Sequence, residues 1–130
     1  MQYITVKSDL RESFIDITPQ VERFISSNGY KDGVLYLFVP HTTAAITINE
    51  NADPSVQSDI NNFLRKLIPR DSNFKHLEGN ADAHIKSSII GCELFVLVEN
   101  SKILLGTWQG IYFCEFDGPR SRKVYMRFLD

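Results

Sequence analysis

The chain is predicted to be an α+β protein built on a largely antiparallel sheet, and three observations lead there. Segments with strand-like alternation are mixed with segments of helical spacing. Two of the helical segments open with a capping residue followed by proline, at Thr18-Pro19 and Asp53-Pro54. The last third of the chain is β-type and joined by hairpin-length links, which favour antiparallel neighbours.

Taken in order, residues 1–7 and 13–17 alternate apolar with polar side chains, as half-buried strands do. The period then changes. Thr18 is expected to cap a helix whose face is lined by Val21, Phe24 and Ile25, and Gly29 suits a left-handed stop. Residues 33–40 form a dense β-type run, and residues 44–49 read as the next strand. Asp53 is expected to cap a second helix, with Val56, Ile60, Phe63, Leu64 and Leu67 as its buried stripe up to Pro69. Residues 70–80 show no clear period. Residues 81–90 read as a short helix with Ile85 and Ile89 one turn apart, stopped by Gly91. Strands follow at 93–98, 103–105, 111–116 and 123–129, with turns at Asn100-Ser101 and Asp117-Gly118-Pro119-Arg120.

Length and composition narrow the class. The 130 residues fit one domain, 1–130, that can bury a core without staples. Hydrophobic residues at 43% and charged residues at 23% exclude a disordered chain, and the formal net charge of -2 makes nucleic acid a disfavoured partner. No apolar stretch reaches the roughly 20 residues that cross a bilayer, so no membrane partner is expected. The first residues lack a signal-peptide core, and the default expectation is a cytoplasmic protein. Cys92 and Cys114 both sit in apolar runs and read as two reduced core thiols.

The chain holds three histidines. His41 follows a strand and precedes two hydroxyl residues, His76 lies in the irregular stretch, and His84 sits in the short helix. Three neutral imidazoles can bind zinc and leave a fourth position open for water or substrate. Equally, they can be separate surface or capping residues. Glu50 lacks an obvious structural task and is a candidate to orient an imidazole or act as a general base. Trp108 and Gln109, within Gly106–Gly110, read either as a β-bulge or as part of a ligand pocket. Arg120, Arg122 and Lys123 form a basic cluster able to hold phosphate or to lie solvated at a turn. There is no Walker loop, Rossmann fingerprint or nucleophile elbow.

Several segments together resemble the YjbQ-like family, members of which are called secondary thiamine-phosphate synthases. They are His41-Thr42-Thr43-Ala44-Ala45 through Asp53-Pro54, Asn80-Ala81-Asp82-Ala83-His84-Ile85-Lys86, Leu105-Gly106-Thr107-Trp108-Gln109-Gly110-Ile111, and Glu115-Phe116-Asp117-Gly118-Pro119-Arg120 with Arg122. The resemblance spans nearly the whole chain, in order and in spacing; Asn100-Ser101 departs where many members carry a glycine-containing turn. It implies a two-sheet sandwich assembled as a homotrimer, and a pocket where His41, His76 and His84 hold a divalent metal, with zinc as the candidate. It also implies thiamine phosphate synthesis, in which a thiazole phosphate joins a pyrimidine methyl diphosphate and pyrophosphate leaves. Across the readings that follow, Glu50, His41 and His84 are the expected catalytic residues, and Trp108, Gln109, Arg120 and Arg122 the expected substrate-binding ones. The attacking thiazole nitrogen carries no proton, so this reaction needs no strong base. The alternatives are therefore metal-assisted hydrolysis of a small metabolite, with Glu50 as the acid–base group, or a non-catalytic trimeric module that binds metal or a phosphometabolite.

Overall fold

The computed structural model describes residues 1–130. The elements run β1 (Gln2–Lys7), β2 (Ser13–Asp16), α1 (Thr18–Ser27), β3 (Gly33–Phe38), β4 (Ala44–Glu50), α2 (Pro54–Leu67), α3 (Ala81–Ile90), β5 (Glu93–Glu99), β6 (Lys102–Leu104), β7 (Gln109–Glu115) and β8 (Ser121–Leu129). They form a five-stranded sheet, β1-β8-β3-β5-β6, and a three-stranded sheet, β2-β7-β4. Every pairing is antiparallel. The fold is the α+β, two-sheet sandwich expected from the residues and the resemblance.

The core explains the layering. Leu35, Leu37, Val96, Val124 and Met126 of the larger sheet face Ile46, Ile111 and Phe113 of the smaller one, and Val21 and Ile25 of α1 complete that core. The other face of the smaller sheet packs Ala45, Cys114 and Phe116 against Leu64 of α2 and Ala83 of α3. Strand β7 is therefore buried on both sides, which is why residues 110–116 form a near-continuous buried run rather than an alternating one. The outer face of the larger sheet has no such cover, and Tyr36, Phe38, Phe95, Leu97 and Leu104 stand exposed on it.

Local chemistry accounts for most boundaries. Asp53 accepts a hydrogen bond from Ser55 N at 3.0 Å and caps α2 as expected. Asn100 and Ser101 both take positive φ, 52° and 63°, as a two-residue hairpin turn of the primed type requires. At Gly118 a Cβ would collide with the Leu10 carbonyl and the Ser8 hydroxyl, so only glycine lets the β7–β8 turn lie against the chain after β1.

Three expectations are corrected. Thr18 does not cap α1: its N–H donates to Asp16 Oδ1 at 2.9 Å, and its hydroxyl accepts from Ile111 N at 2.8 Å. On α2 only Leu64 of the expected stripe is buried, while Phe63 and Leu67 are 64% and 59% exposed. The helix meets the smaller sheet along a narrow line, where half-buried Ile60 packs beside Leu64, and Ile68 just beyond the helix is buried as well. On α3 the buried face is Ala81, Asp82, Ala83, Lys86 and Ser87, and Ile85 and Ile89 point outward. Small residues let this helix approach β4 closely, and its buried charges are paired. Lys86 Nζ lies 2.6 Å from Glu12 Oε2 and 3.2 Å from Asp82 Oδ2, and Asp82 meets Arg11 at 2.9 Å. A hydrophobic period selects the wrong face when the buried side is ionic.

Phe113→Ala, which empties the centre of the sandwich, is expected to cost about 3–5 kcal/mol in urea unfolding. Phe63→Ser on the exposed side of α2 is expected to stay within about 0.5 kcal/mol at concentrations where the chain is monomeric.

Candidate functional site

The β3–β4 crossing creates the candidate site. The register that pairs Phe38 with Tyr125 would place Pro40 opposite Lys123, but β3 has ended. The Lys123 N–H, left without a strand partner, donates instead to His41 Nε2 at 2.9 Å. Burial, and next the positive charge of Arg122, hold His41 below the ordinary imidazole value of 6.5. Protonation at Nε2 would also forfeit the bond from Lys123. His41 and His84 line one open hollow of about 350 Å³, together with Thr42, Ser87, Ser88 and Cys92. Cys92 is thus exposed at this hollow rather than a core thiol, because it falls at the mouth just before β5. Cys114 is buried as expected, and its thiol is pushed well above the ordinary value by that burial.

His76 belongs to the same neighbourhood. Its ring lies 5.1 Å from that of His84, edge to face, and the two share a second hollow with Phe74 and Ile85. His76 Nε2 is 2.9 Å from Asn80 Oδ1. The Asn80 amide nitrogen donates to Asp117 Oδ2 at 2.9 Å, so Oδ1 is the acceptor and His76 Nε2 carries the hydrogen. The lone pair is then on Nδ1, the arrangement a ligating imidazole takes when its second nitrogen is held by a polar partner. His76 therefore offers its Nδ1 lone pair beside the ring of His84, whereas the lone pair of His41 is already committed to Lys123 N–H. No group of three His, Cys, Asp or Glu side chains comes together around one point in the chain. Asp82, two residues before His84, is turned away from the imidazoles into the buried pairs with Arg11 and Lys86.

The two arginines behave differently. Arg122 is 3% exposed and its charge is spent on Glu115, which is fully buried. Arg122 Nε donates to Glu115 Oε1 at 2.9 Å and Nη2 to Oε2 at 2.5 Å, and Nη2 also donates to Thr43 Oγ1 at 2.9 Å. Ser8 Oγ and Asp117 N donate to the same carboxylate at 2.7 and 3.0 Å. Burial raises the Glu115 pKa and these donors more than reverse it, so the carboxyl lies below its ordinary 4.5. Arg122 is thus primarily a structural residue whose charge still acts on His41. Arg120 is half-exposed and pairs with Asp117 at 3.1 Å, which leaves it at the rim of the same region.

Glu50, Trp108 and Gln109 lie elsewhere. Strand β4 runs from Ala44, opposite Glu115, to Glu50, opposite Gln109. At ~3.3 Å per residue this separates Glu50 from the histidine end by about 20 Å. Trp108 is 62% exposed at the turn into β7, and its carbonyl accepts from Asn51 N at 2.8 Å. Gln109 Oε1 accepts from Gly106 N at 2.8 Å and closes that turn. Within one chain these three do not reach His41, His76 or His84. Sequence reasoning gave no role to Asn80 and Asp117, which orient His76. An Asn just before a helix and an Asp opening the last turn were visible, but both fit ordinary capping and turn roles.

Fold and site thus define a two-sheet α+β sandwich that gathers its histidines and a buried Arg–Glu pair at one end. Residues 2–130 match the family described as UPF0047 protein YjbQ-like, and the chain belongs to that family. A UPF0047 protein of Methanocaldococcus jannaschii is 57% identical over 124 residues, covering 95% of this chain and 90% of that protein. YugU of Bacillus subtilis is 46% identical over 130 residues, covering 99% and 98%. A crystal structure of a YjbQ/UPF0047 family protein from Clostridium acetobutylicum superposes with a TM-score of 0.95 at 49% identity, covering 99% of this chain and 100% of that one.

The Glu115–Arg122 pair generates a stability prediction. Arg122→Leu leaves a buried carboxylate unpaired and is expected to cost about 3–5 kcal/mol, while Arg122→Leu with Glu115→Met recovers much of it in denaturant unfolding. Glu115, Glu12 and Asp82 all titrate below their ordinary values of 4.5, 4.5 and 3.8. Their contribution is fully present above those values and is lost as pH falls through the lower folded ones. The urea midpoint should hold from pH 7 to about 5 and fall steeply below about 4.

Proposed function

We propose that the hollow between His41 and His84 binds a small phosphorylated metabolite, and that the reaction is thiamine phosphate synthesis. The observation that carries this reading is the Thr42 hydroxyl, which no group of the chain engages, on the hollow that His41 and His84 line, with Arg120 at its rim; the Ser87 and Ser88 hydroxyls donate to the Ala83 and His84 carbonyls at 2.8 and 2.9 Å. Such a lining suits a departing pyrophosphate, because charge that develops on the leaving oxygen meets donors already in place. In the reaction the thiazole nitrogen lone pair forms a bond to the pyrimidine methylene carbon. The carbon–oxygen bond to diphosphate breaks, and its electron pair leaves with pyrophosphate. No proton moves from the attacking nitrogen. The buried carboxylate at this end, Glu115, is locked in an ion pair and is not asked to take a proton.

A divalent ion such as zinc would be held by His76 and His84 and would add positive charge for the leaving group. Hydrolysis with Glu50 as base is the weaker alternative, since Glu50 stands at the far end of β4 and would have to come from a neighbouring chain.

The proposed assembly is a homotrimer formed through the outer face of the five-stranded sheet. Tyr36, Phe38, Phe95, Leu97 and Leu104 are exposed there on one face, and a grouped apolar surface of this kind marks an interaction site. Arg127, opposite Tyr36 in the register, lies among these residues. Glu93, opposite Phe38, lies at their edge, so a head-to-tail ring can bring one charge against the other. No helix of the chain is long and apolar enough to cross a membrane, and a cytoplasmic protein acting on a small metabolite remains the reading.

Two measurements test this. Incubation with thiazole phosphate and pyrimidine methyl diphosphate should yield thiamine phosphate and one equivalent of pyrophosphate, and His84→Ala should lower the rate by at least about tenfold; absence of product with folded protein would remove the synthase reading. Sedimentation equilibrium at micromolar concentration should give three times the 14.9 kDa of one chain. Phe95→Asp should shift it to monomer, and a wild-type monomer would remove the assembly.

A further inference from the structure

His41 has been a candidate metal ligand and a candidate base, and its hydrogen bonding speaks against both. A neutral imidazole has one lone pair and one N–H. The lone pair of Nε2 accepts the Lys123 N–H at 2.9 Å, so the hydrogen is on Nδ1. This bond follows from the fold: it satisfies the one ladder donor that β3 cannot reach after Phe38, and releasing it would orphan a backbone N–H. Nδ1 has no hydrogen-bond partner within the chain, yet it is not among the buried polar atoms left without one. It is therefore a solvated donor on a residue that lines the hollow. To coordinate an ion the ring would have to abandon Lys123 or lose its Nδ1 proton, and to act as a base it would need a lone pair it does not have free.

We infer that His41 is a fixed neutral hydrogen-bond donor, acting through Nδ1–H on a phosphate oxygen of the ligand, and is neither a metal ligand nor a general base. The donor is aimed by the backbone of β8, one residue after the buried Arg122, so the sandwich itself presets its direction. Burial and the Arg122 charge keep the ring neutral near pH 7. This assignment rests on the phosphorylated-ligand reading for its partner, while the tautomer rests on the fold alone.

The test uses the full chain and three probes. Long-range proton–nitrogen NMR should show His41 with Nδ1 protonated and Nε2 bare, unchanged when zinc alone is added. Pyrophosphate binding should weaken about tenfold in His41→Gln, whose amide can replace Nε2 but offers nothing at Nδ1. The loss should be smaller in His41→Asn, whose amide nitrogen falls near the Nδ1 position. Zinc binding should survive in both variants. An Nε2-protonated ring, or zinc binding that disappears in His41→Gln, overturns the assignment. If wild type binds pyrophosphate and His41→Gln binds it equally well, the donor role fails while the phosphate reading stands. If wild type binds neither pyrophosphate nor inorganic phosphate, both fail together. Should His41→Gln not fold, the wild-type tautomer and the Asn variant still decide.

Discussion

The buried pair between Glu115 and Arg122 is the interaction on which the functional end of the molecule depends. Both side chains continue inward-facing series, Ile111 and Phe113 on β7 and Val124 and Met126 on β8. Where the next apolar pair would stand, the sandwich has an ion pair instead. Two charges in that position are tolerable only because every strong demand is met: the carboxylate takes four donated hydrogen bonds, from Ser8, Asp117 and two Arg122 nitrogens. Those donors come from the end of β1, the last turn and β8. Arg122 also reaches Thr43 at the start of β4. One pair thereby fixes the relative positions of four segments.

Everything near the hollow inherits that arrangement. Asp117, held through its N–H by Glu115, accepts from Asn80 and so orients His76. Lys123 follows Arg122 and directs His41. Helix α3 is secured separately, by Lys86 and Asp82 with Glu12 and Arg11, and carries His84 on its open side. A rigid polar scaffold that presets the donor of His41 suits recognition of an anion, where donors must be in place before the ligand arrives.

Much of this was legible in the residues. The helix of residues 81–90, the Asp53 cap, the hairpin turn at Asn100-Ser101 and the β-type final third all follow from local rules, because caps, turns and periods are set by neighbours in the chain. The grouping of His41, His76 and His84 at one end was anticipated only through the family resemblance. Their division into a His76–His84 pair and a separately anchored His41 was not. Pro40 marks a strand end in the sequence, but nothing in a one-dimensional pattern says that the Lys123 N–H is left for an imidazole to satisfy.

By itself the sequence determined the α+β class, the order and rough limits of the elements, and the set of residues able to do chemistry, since these depend on side-chain type and short-range spacing. The tertiary structure decided which of those residues meet. It separated Glu50, Trp108 and Gln109 from the histidines by the length of β4, and it turned Arg122 from a surface phosphate ligand into half of a buried pair. It also turned Ile85 and Ile89 outward while paired charges went in. The physical reason is common to all three. Strand register and the pairing of buried charges are long-range constraints, and a charged side chain looks the same in the sequence whether water or a partner 74 residues away receives it, as Glu12 receives Lys86.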